Sequence, residues 1–317
     1  MPDHIKSEIR KDYIQDKYVI IAPRRSMRPH ASDDINYDQH SHRVNISPKD
    51  CIFCKANLSL KLATVVVGTK KDWQMVVLPN KYPAVSLTNR QAYGVQEVII
   101  ETPRHGLQLE NFSESRICRL LDLYAERTKT LMTNPKIEYI LIFKNNGGRA
   151  GASIQHSHSQ LFAMGFIPPH LIDKSQRVQT YRLKTGHCVY CDVINKESKS
   201  SRLVYWDDNI IAFCPYASLY NYEIWIMPRR HFDNVTGLNV KEKLSIATAL
   251  KKVVGKITHQ LNLPYNYYFH QVVHEENEHL YIKITPRGSV WAGVEVGSGI
   301  IINPVSPEQA AAFYRKK

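Results

Sequence analysis

The chain carries one small unit twice, and this duplication limits its fold more than any other feature. Glu97-Val98-Ile99-Ile100-Glu101-Thr102-Pro103-Arg104-His105 has a counterpart in Glu223-Ile224-Trp225-Ile226-Met227-Pro228-Arg229-Arg230-His231. Each is a short apolar strand that ends near a proline, followed by basic residues and a histidine. Upstream of each lies a Cys-x-x-Cys pair, Cys51/Cys54 and Cys188/Cys191, then a strand–turn segment, residues 73–84 and 209–218. A repeated block of this size is one supersecondary unit built twice.

Downstream of each block the apolar residues keep helical spacing. Ile117, Leu120, Leu121, Tyr124 and Leu131 do so in the first half, and Leu250, Val253, Val254, Ile257 and Leu261 in the second. Asn239 and Glu242 stand three apart, as an N-terminal capping pair would. A β-rich run follows each helix: 137–143 then 156–162, and 267–273 then 279–284. Short strands at hairpin spacing with one long helix per unit predict an α+β fold, each unit an antiparallel sheet with its helix on one face. The polar stretch 174–186 suggests the division, with units at 1–178 and 179–317.

The composition supports a packed core, since 43% of residues are hydrophobic and only 22% charged. No run of 18 apolar residues occurs, which excludes a transmembrane helix. Residues 1–18 are polar and charged, unlike a secretory signal, so the expectation is a cytoplasmic protein. The net charge of +13 points to anionic partners. The bases are dispersed, and no helix-turn-helix, RNP-type strand or finger spacing reads a polymer, so small phosphate-bearing molecules fit better than nucleic acid.

Two thiol pairs in a reducing compartment suggest metal or redox work. A redox motif wants a thioredoxin-like βαβ context, which is absent. The recurrence of Cys-x-x-Cys with two strand-end histidines favours metal: Cys51, Cys54, His105 and His156 in one set, Cys188, Cys191, His231 and His279 in the other. Two thiolates and two imidazoles make the closed tetrahedral set of structural zinc. The expectation is one or two zinc ions that hold shape and leave no coordination position for substrate.

The segment from Asn145 to Gln160 carries the chemistry. Glycines at 147, 148 and 151 let backbone amides approach an anion. The loop leads into a predicted strand, 155–162, on which His156, His158 and Gln160 share a face by period-two alternation. A neutral imidazole attacks phosphorus without first losing a proton and leaves readily from a phosphoramidate. Its other nitrogen needs an acceptor to fix the tautomer. Gln160 supplies an uncharged donor for a non-bridging oxygen.

At these residues the sequence resembles the galactose-1-phosphate uridylyltransferase family of the histidine triad superfamily, which includes an ADP-glucose phosphorylase branch. The resemblance implies two tandem histidine-triad-like units, with His158 as nucleophile and Ser153, Gly151 and Gln160 at the phosphates. It implies Asn145 near the sugar phosphate and His156 as a metal ligand. Arg25 and Arg28 fall in a basic motif close to the site, Asn80, Lys81 and Tyr82 match a nucleoside-binding segment, and Glu295 in Gly293-Val294-Glu295-Val296-Gly297 looks like the acid that binds sugar hydroxyls. Ser157 replaces the proline usual between the two histidines. Tyr281 stands where some members have another histidine.

The implied activity moves a nucleoside monophosphate between a nucleoside diphosphate sugar and hexose 1-phosphate, through a nucleotidyl-histidine, in a homodimer. Phosphorolysis of ADP-sugars or dinucleoside polyphosphates is the alternative. A non-catalytic nucleotide-binding protein is a reading of a different class.

Overall fold

The computed structural model describes residues 6–27, 46–273, 275 and 277–316. The first half builds strands β3 (Val65–Gly68), β4 (Trp73–Pro79), β5 (Gly94–Ile100), β6 (Tyr139–Asn146) and β7 (His158–Met164). Helix α1 (Glu114–Met132) separates β5 from β6. After helices α2 (Pro169–Thr185) and α3 (Val189–Glu197), the second half repeats the pattern. Its strands are β8 (Leu203–Trp206), β9 (Ile210–Phe213), β10 (Ile224–Pro228), β11 (Tyr265–His270) and β12 (Tyr281–Pro286), with α4 (Val240–His259) before β11.

The two halves form one sheet. Its ten strands run in the order β3-β4-β5-β7-β6-β11-β12-β10-β9-β8, so the second half reads as the first in reverse. The seam is the antiparallel pairing of β6 with β11, where Phe143 lies opposite Tyr268 and Asn145 opposite Asn266. The expected α+β architecture holds, but the units share a continuous sheet. The stretch 174–186, expected as a polar connection, is largely helical: its few apolar residues, Val178 among them, pack beneath α2. The division at 178/179 therefore falls inside that helix.

Alternation explains the layers. On β6, Ile140 and Ile142 face α1 and α4, and on β7 so do Leu161 and Ala163; all belong to one buried cluster with Leu120, Tyr124, Leu250 and Val254. His158, Gln160, Tyr139, Leu141 and Phe143 alternate to the opposite face. Both long helices are capped as the residues suggest. Ser113 accepts from the Arg116 N–H, and Asn239 and Glu242 form a reciprocal capping box.

A second sheet of three strands, β1 (Glu8–Lys11), β2 (Tyr18–Ile21) and β13 (Ile301–Asn303), ties the two ends of the chain together. Before β13 lies the short helix α5 (Gly293–Ser298), and after it α6 (Pro307–Arg315) packs Ala310, Ala311 and Tyr314 into the main core. No helix among the described residues is long and apolar enough to cross a membrane.

One buried ion pair fastens α1 to β5. Arg127 donates two hydrogen bonds of 2.9 Å to Glu97, and both side chains are almost fully enclosed. Removing one partner strands the other charge. Arg127→Ala is therefore expected to lower the unfolding free energy by about 3–5 kcal/mol in urea titration; a loss below about 1 kcal/mol would rank the pair with surface ion pairs.

Candidate active site

The glycine loop is built around two backbone conformations that L side chains rarely adopt. Gly147 has φ +86° and Gly151 φ +85°, and a Cβ on Gly147 would meet Pro264 at 2.9 Å. Asn266, across the seam on β11, fastens this loop: its amide donates to Asn145 Oδ1 at 2.8 Å and to the Ala150 carbonyl at 2.7 Å. A cleft of about 320 Å3 opens beside the loop, lined by Asn145, Gly147, Gly148, Ser153 and His158 among others.

His158 is the first residue of β7, three residues later than the predicted strand start, and its ring is only 8% exposed. Its Nδ1 donates to the His156 carbonyl at 2.8 Å, which leaves the Nε2 lone pair free of that contact. Burial, and then the nearby Lys144 ammonium, hold the imidazole below its usual range, so it is neutral at neutral pH. Phe53 sets its edge against both rings, 5.3 Å from His158 and 6.2 Å from His156.

Two residues along β7, the Gln160 oxygen accepts from Gln96 Nε2 at 3.1 Å and from Asn80 Nδ2 at 3.5 Å. With its oxygen held, the amide of Gln160 has N–H groups to donate. Asn80 thus joins the site, and its own oxygen accepts from the Tyr82 N–H. Lys81 and Tyr82 are exposed, with Tyr82 80% open to solvent, and neither they nor Asn80 and Gln160 are among the residues that line the cleft.

Behind the histidines lies a buried knot that the sequence reading missed. Lys144 Nζ donates to Glu101 Oε2 at 2.6 Å, to Ser157 Oγ at 2.9 Å and to the His158 carbonyl at 3.0 Å. Ser157 in turn donates to the same Glu101 oxygen at 2.6 Å. The hydroxyl in place of a proline is thus an anchor for the backbone between the two histidines. Lys144 and Asn266, polar residues inside otherwise apolar or aromatic strand runs, were visible signals; their partners were not.

The first metal set is assembled. The ligand atoms of Cys51, Cys54, His105 and His156 all lie within 4.8 Å of one another. Sulfur-to-nitrogen separations are 3.3 Å for Cys54–His105, 3.6 Å for Cys51–His156 and 3.7 Å for Cys54–His156. A tetrahedron with zinc-like bonds has edges of roughly 3.5 Å. His156 Nε2 bonds the Thr102 carbonyl at 2.7 Å, which turns Nδ1 to the sulfurs.

In the second set Cys188, Cys191 and His231 are gathered in the same way, with Cys191 Sγ 3.6 Å from His231 Nδ1. His279 stands just outside the group. Its ring centroid is 5.2 Å from that of His231, close to the 5.5 Å between His105 and His156. Its Nε2 is buried without a hydrogen-bond partner, a costly state that a metal would relieve. The donors in both halves therefore fit a metal. All six cysteines are free thiols.

Arg25 and Glu295 are brought together elsewhere. Arg25 lies in a 3-10 turn, Pro23–Met27, after β2, and Glu295 in α5. Burial opposes the Glu295 charge, but backbone N–H donors and Arg25 outweigh it and hold the carboxyl below its usual range. Neither residue lines the cleft with His158. Arg28 lies outside the described residues.

The knot yields a graded expectation. Ser157→Ala removes one hydroxyl and is expected to cost about 1–3 kcal/mol in denaturant titration. Lys144→Met leaves the Glu101 carboxylate buried and unpaired, at about 3–5 kcal/mol. Equal losses would show that the lysine contributes no more than the hydroxyl.

Comparison with known proteins agrees with this layout. Residues 2–168 match the family model for the galactose-1-phosphate uridyl transferase N-terminal domain. An ADP-glucose phosphorylase from Arabidopsis thaliana is 32% identical over 98% of this chain and 92% of its own length. A galactose-1-phosphate uridylyltransferase from Thermotoga maritima is 27% identical, covering 98% of both chains. The crystal structure of an ADP-glucose phosphorylase from Arabidopsis thaliana with bound ADP-glucose superposes with a TM-score of 0.84 at 30% identity, over 98% of this chain and 99% of that one. A tandem α+β sheet, a histidine beside a glycine loop and these whole-length likenesses converge: the chain belongs to the galactose-1-phosphate uridylyltransferase family.

Proposed function

We propose that the chain moves a nucleoside monophosphate between a nucleoside diphosphate sugar and hexose 1-phosphate, by way of a covalent adduct on Nε2 of His158. The observation that carries this reading is the 2.8 Å bond from His158 Nδ1 to the His156 carbonyl, which fixes the tautomer beside the glycine-lined cleft.

In the first step the Nε2 lone pair attacks the α-phosphorus. An N–P bond forms while the bond from phosphorus to the bridging oxygen breaks, and hexose 1-phosphate leaves with the electron pair. In the second step an oxygen of the acceptor phosphate attacks the same phosphorus, and the N–P pair returns to a neutral imidazole. One phosphate replaces another, so neither leaving group needs a strong general acid. Gln160 donates from its amide to a non-bridging oxygen, while Ser153 and the amides around Gly151 hold the phosphates. Asn145 meets the sugar phosphate, and Asn80, Lys81 and Tyr82 meet the nucleoside.

Zinc would be held by Cys51, Cys54, His105 and His156, and by Cys188, Cys191, His231 and His279, where it supplies rigidity. Glu295, with Arg25 beside it, serves a partner's site in a homodimer. The exposure of Trp291, Val294 and Val296 and the absence of any buried residue in α5 support that role. Six unpaired thiols suit a reducing, cytoplasmic setting.

A second reading takes inorganic phosphate as the acceptor and an ADP-sugar as the donor. The whole-length likeness to an ADP-glucose phosphorylase favours it. Isotope exchange between labelled glucose 1-phosphate and either UDP-glucose or ADP-glucose, with and without inorganic phosphate, separates the two. Exchange is expected with at least one donor and none in His158→Asn, which should also lose the acid-labile nucleotide adduct; turnover surviving that change would refute the nucleophile. Metal analysis is expected to find zinc, at up to two ions per chain, and its removal by chelator should lower the melting temperature. Full thermal stability in demonstrably metal-free protein would overturn the structural role.

A further inference from the structure

The mirrored strand order relates the halves residue by residue. The relation passes through the opposed pair Phe143 and Tyr268 at the seam. Phe143 lies opposite Gln160 on β7, and Tyr268 opposite Lys283 on β12. Gln160 thus corresponds to Lys283, and two residues earlier His158 corresponds to Tyr281 and His156 to His279. The contacts correspond as well: Gln96 holds Gln160 in the first half, and Glu223 holds Lys283 at 2.7 Å in the second.

Over this second row lies a cavity of about 520 Å3, distinct from the cleft at His158 and meeting it only through shared Asn145. Phe143, Tyr268 and Tyr281 floor it, and Trp291, stacked on Tyr220 at 5.5 Å, stands at its edge. Lys17, Lys174, Lys283 and Arg287 also line it. Lys283 is neutralised by Glu223. Lys17, Lys174 and Arg287 have no carboxylate within 4.0 Å among the described ion pairs. The one carboxylate in the lining, Asp12, is engaged by the Ile14 and Gln15 N–H groups. Lys174 is 5% exposed and has two neutral partners, Tyr281 at 2.7 Å and His270 at 3.4 Å.

The nucleophile is lost here. Tyr281 is clamped between Trp225, at 4.4 Å, and His270, at 4.5 Å, with its hydroxyl bound by Lys174. What remains is an aromatic lining beside one buried ammonium, Lys174, with the exposed Lys17 and the half-buried Arg287 nearby; Glu278 and Asp12 act on Lys174 only at longer range than an ion pair.

We propose that this cavity is a second, non-catalytic binding site for a nucleoside monophosphate, whose phosphate meets Lys174 and Lys17 and whose base lies against Phe143, Tyr268 and Trp291. Stacking on an aromatic surface with a charge-assisted phosphate contact is the recognition that such a ligand requires. The lysine adds to the case: burial pushes the Lys174 ammonium down to about 8 against the opposing pull of Glu278 and Asp12, and an incoming phosphate would favour its charged form. This site does not depend on the chemistry at His158.

The test is equilibrium dialysis of the whole protein with AMP and with UMP, while adduct formation at His158 is followed in separate samples given a nucleoside diphosphate sugar, which carries the leaving group that a monophosphate lacks. At least one equivalent of one nucleotide per chain is expected, and it persists in His158→Asn. Lys17→Ala, at an exposed position, and Lys174→Gln should each weaken that equivalent by about tenfold, the loss of one charge-assisted contact, and leave adduct formation at His158 unchanged. No bound nucleotide in His158→Asn, or binding there that neither variant weakens, would overturn the proposal.

Discussion

The antiparallel seam between β6 and β11 is the constraint on which the rest of the molecule depends. Each half alone would end in an exposed strand with unpaired N–H and C=O groups. Joined, the two supply one another's hydrogen bonds and bring Asn266 within reach of Asn145 and the Ala150 carbonyl. The anion loop of the first half is therefore shaped by a side chain of the second. Loop geometry and the cleft beside it both draw on a pairing between segments more than a hundred residues apart.

Charge is handled differently on the two sides of the sheet. On the helix side Lys144, Glu101 and Ser157 form a closed set in which each polar group has a partner, so a buried cation is tolerated close to the His158 backbone. On the opposite face, over the second half, Lys283 is paired with Glu223, while Lys174 lies buried against Tyr281 and His270 with the Glu278 carboxylate engaged by His270 and Tyr190.

Much of this was legible in the residues, because the pattern was written twice. The duplicated strand-end motif, the helical spacing of Ile117 to Leu131 and the Asn239–Glu242 cap each rest on local physics, and the structure has all three. The Cys-x-x-Cys pairs were read with their histidines because recurrence in both halves made chance a poor explanation. What escaped notice depended on register. Whether the units share a sheet is decided by which edge strands meet, and no periodicity carries that information. Lys144 and Glu101 are ordinary charged residues in the sequence, and only the fold sets them 2.6 Å apart. The polar stretch at 174–186 misled because α2 buries few side chains, Leu171, Lys174 and Val178 among them.

The partner of His158 Nδ1 has a consequence for the lifetime of anything attached to the ring. That partner is a peptide carbonyl, not a carboxylate. A carboxylate would stabilise the positive charge of a phosphorylated imidazole and make the adduct a resting place. A neutral carbonyl orients the ring with far less electrostatic stabilisation of the cation, so the imidazole remains a good leaving group. Under the proposed mechanism the arrangement suits a relay more than a store, because what the ring would accept it would be primed to surrender.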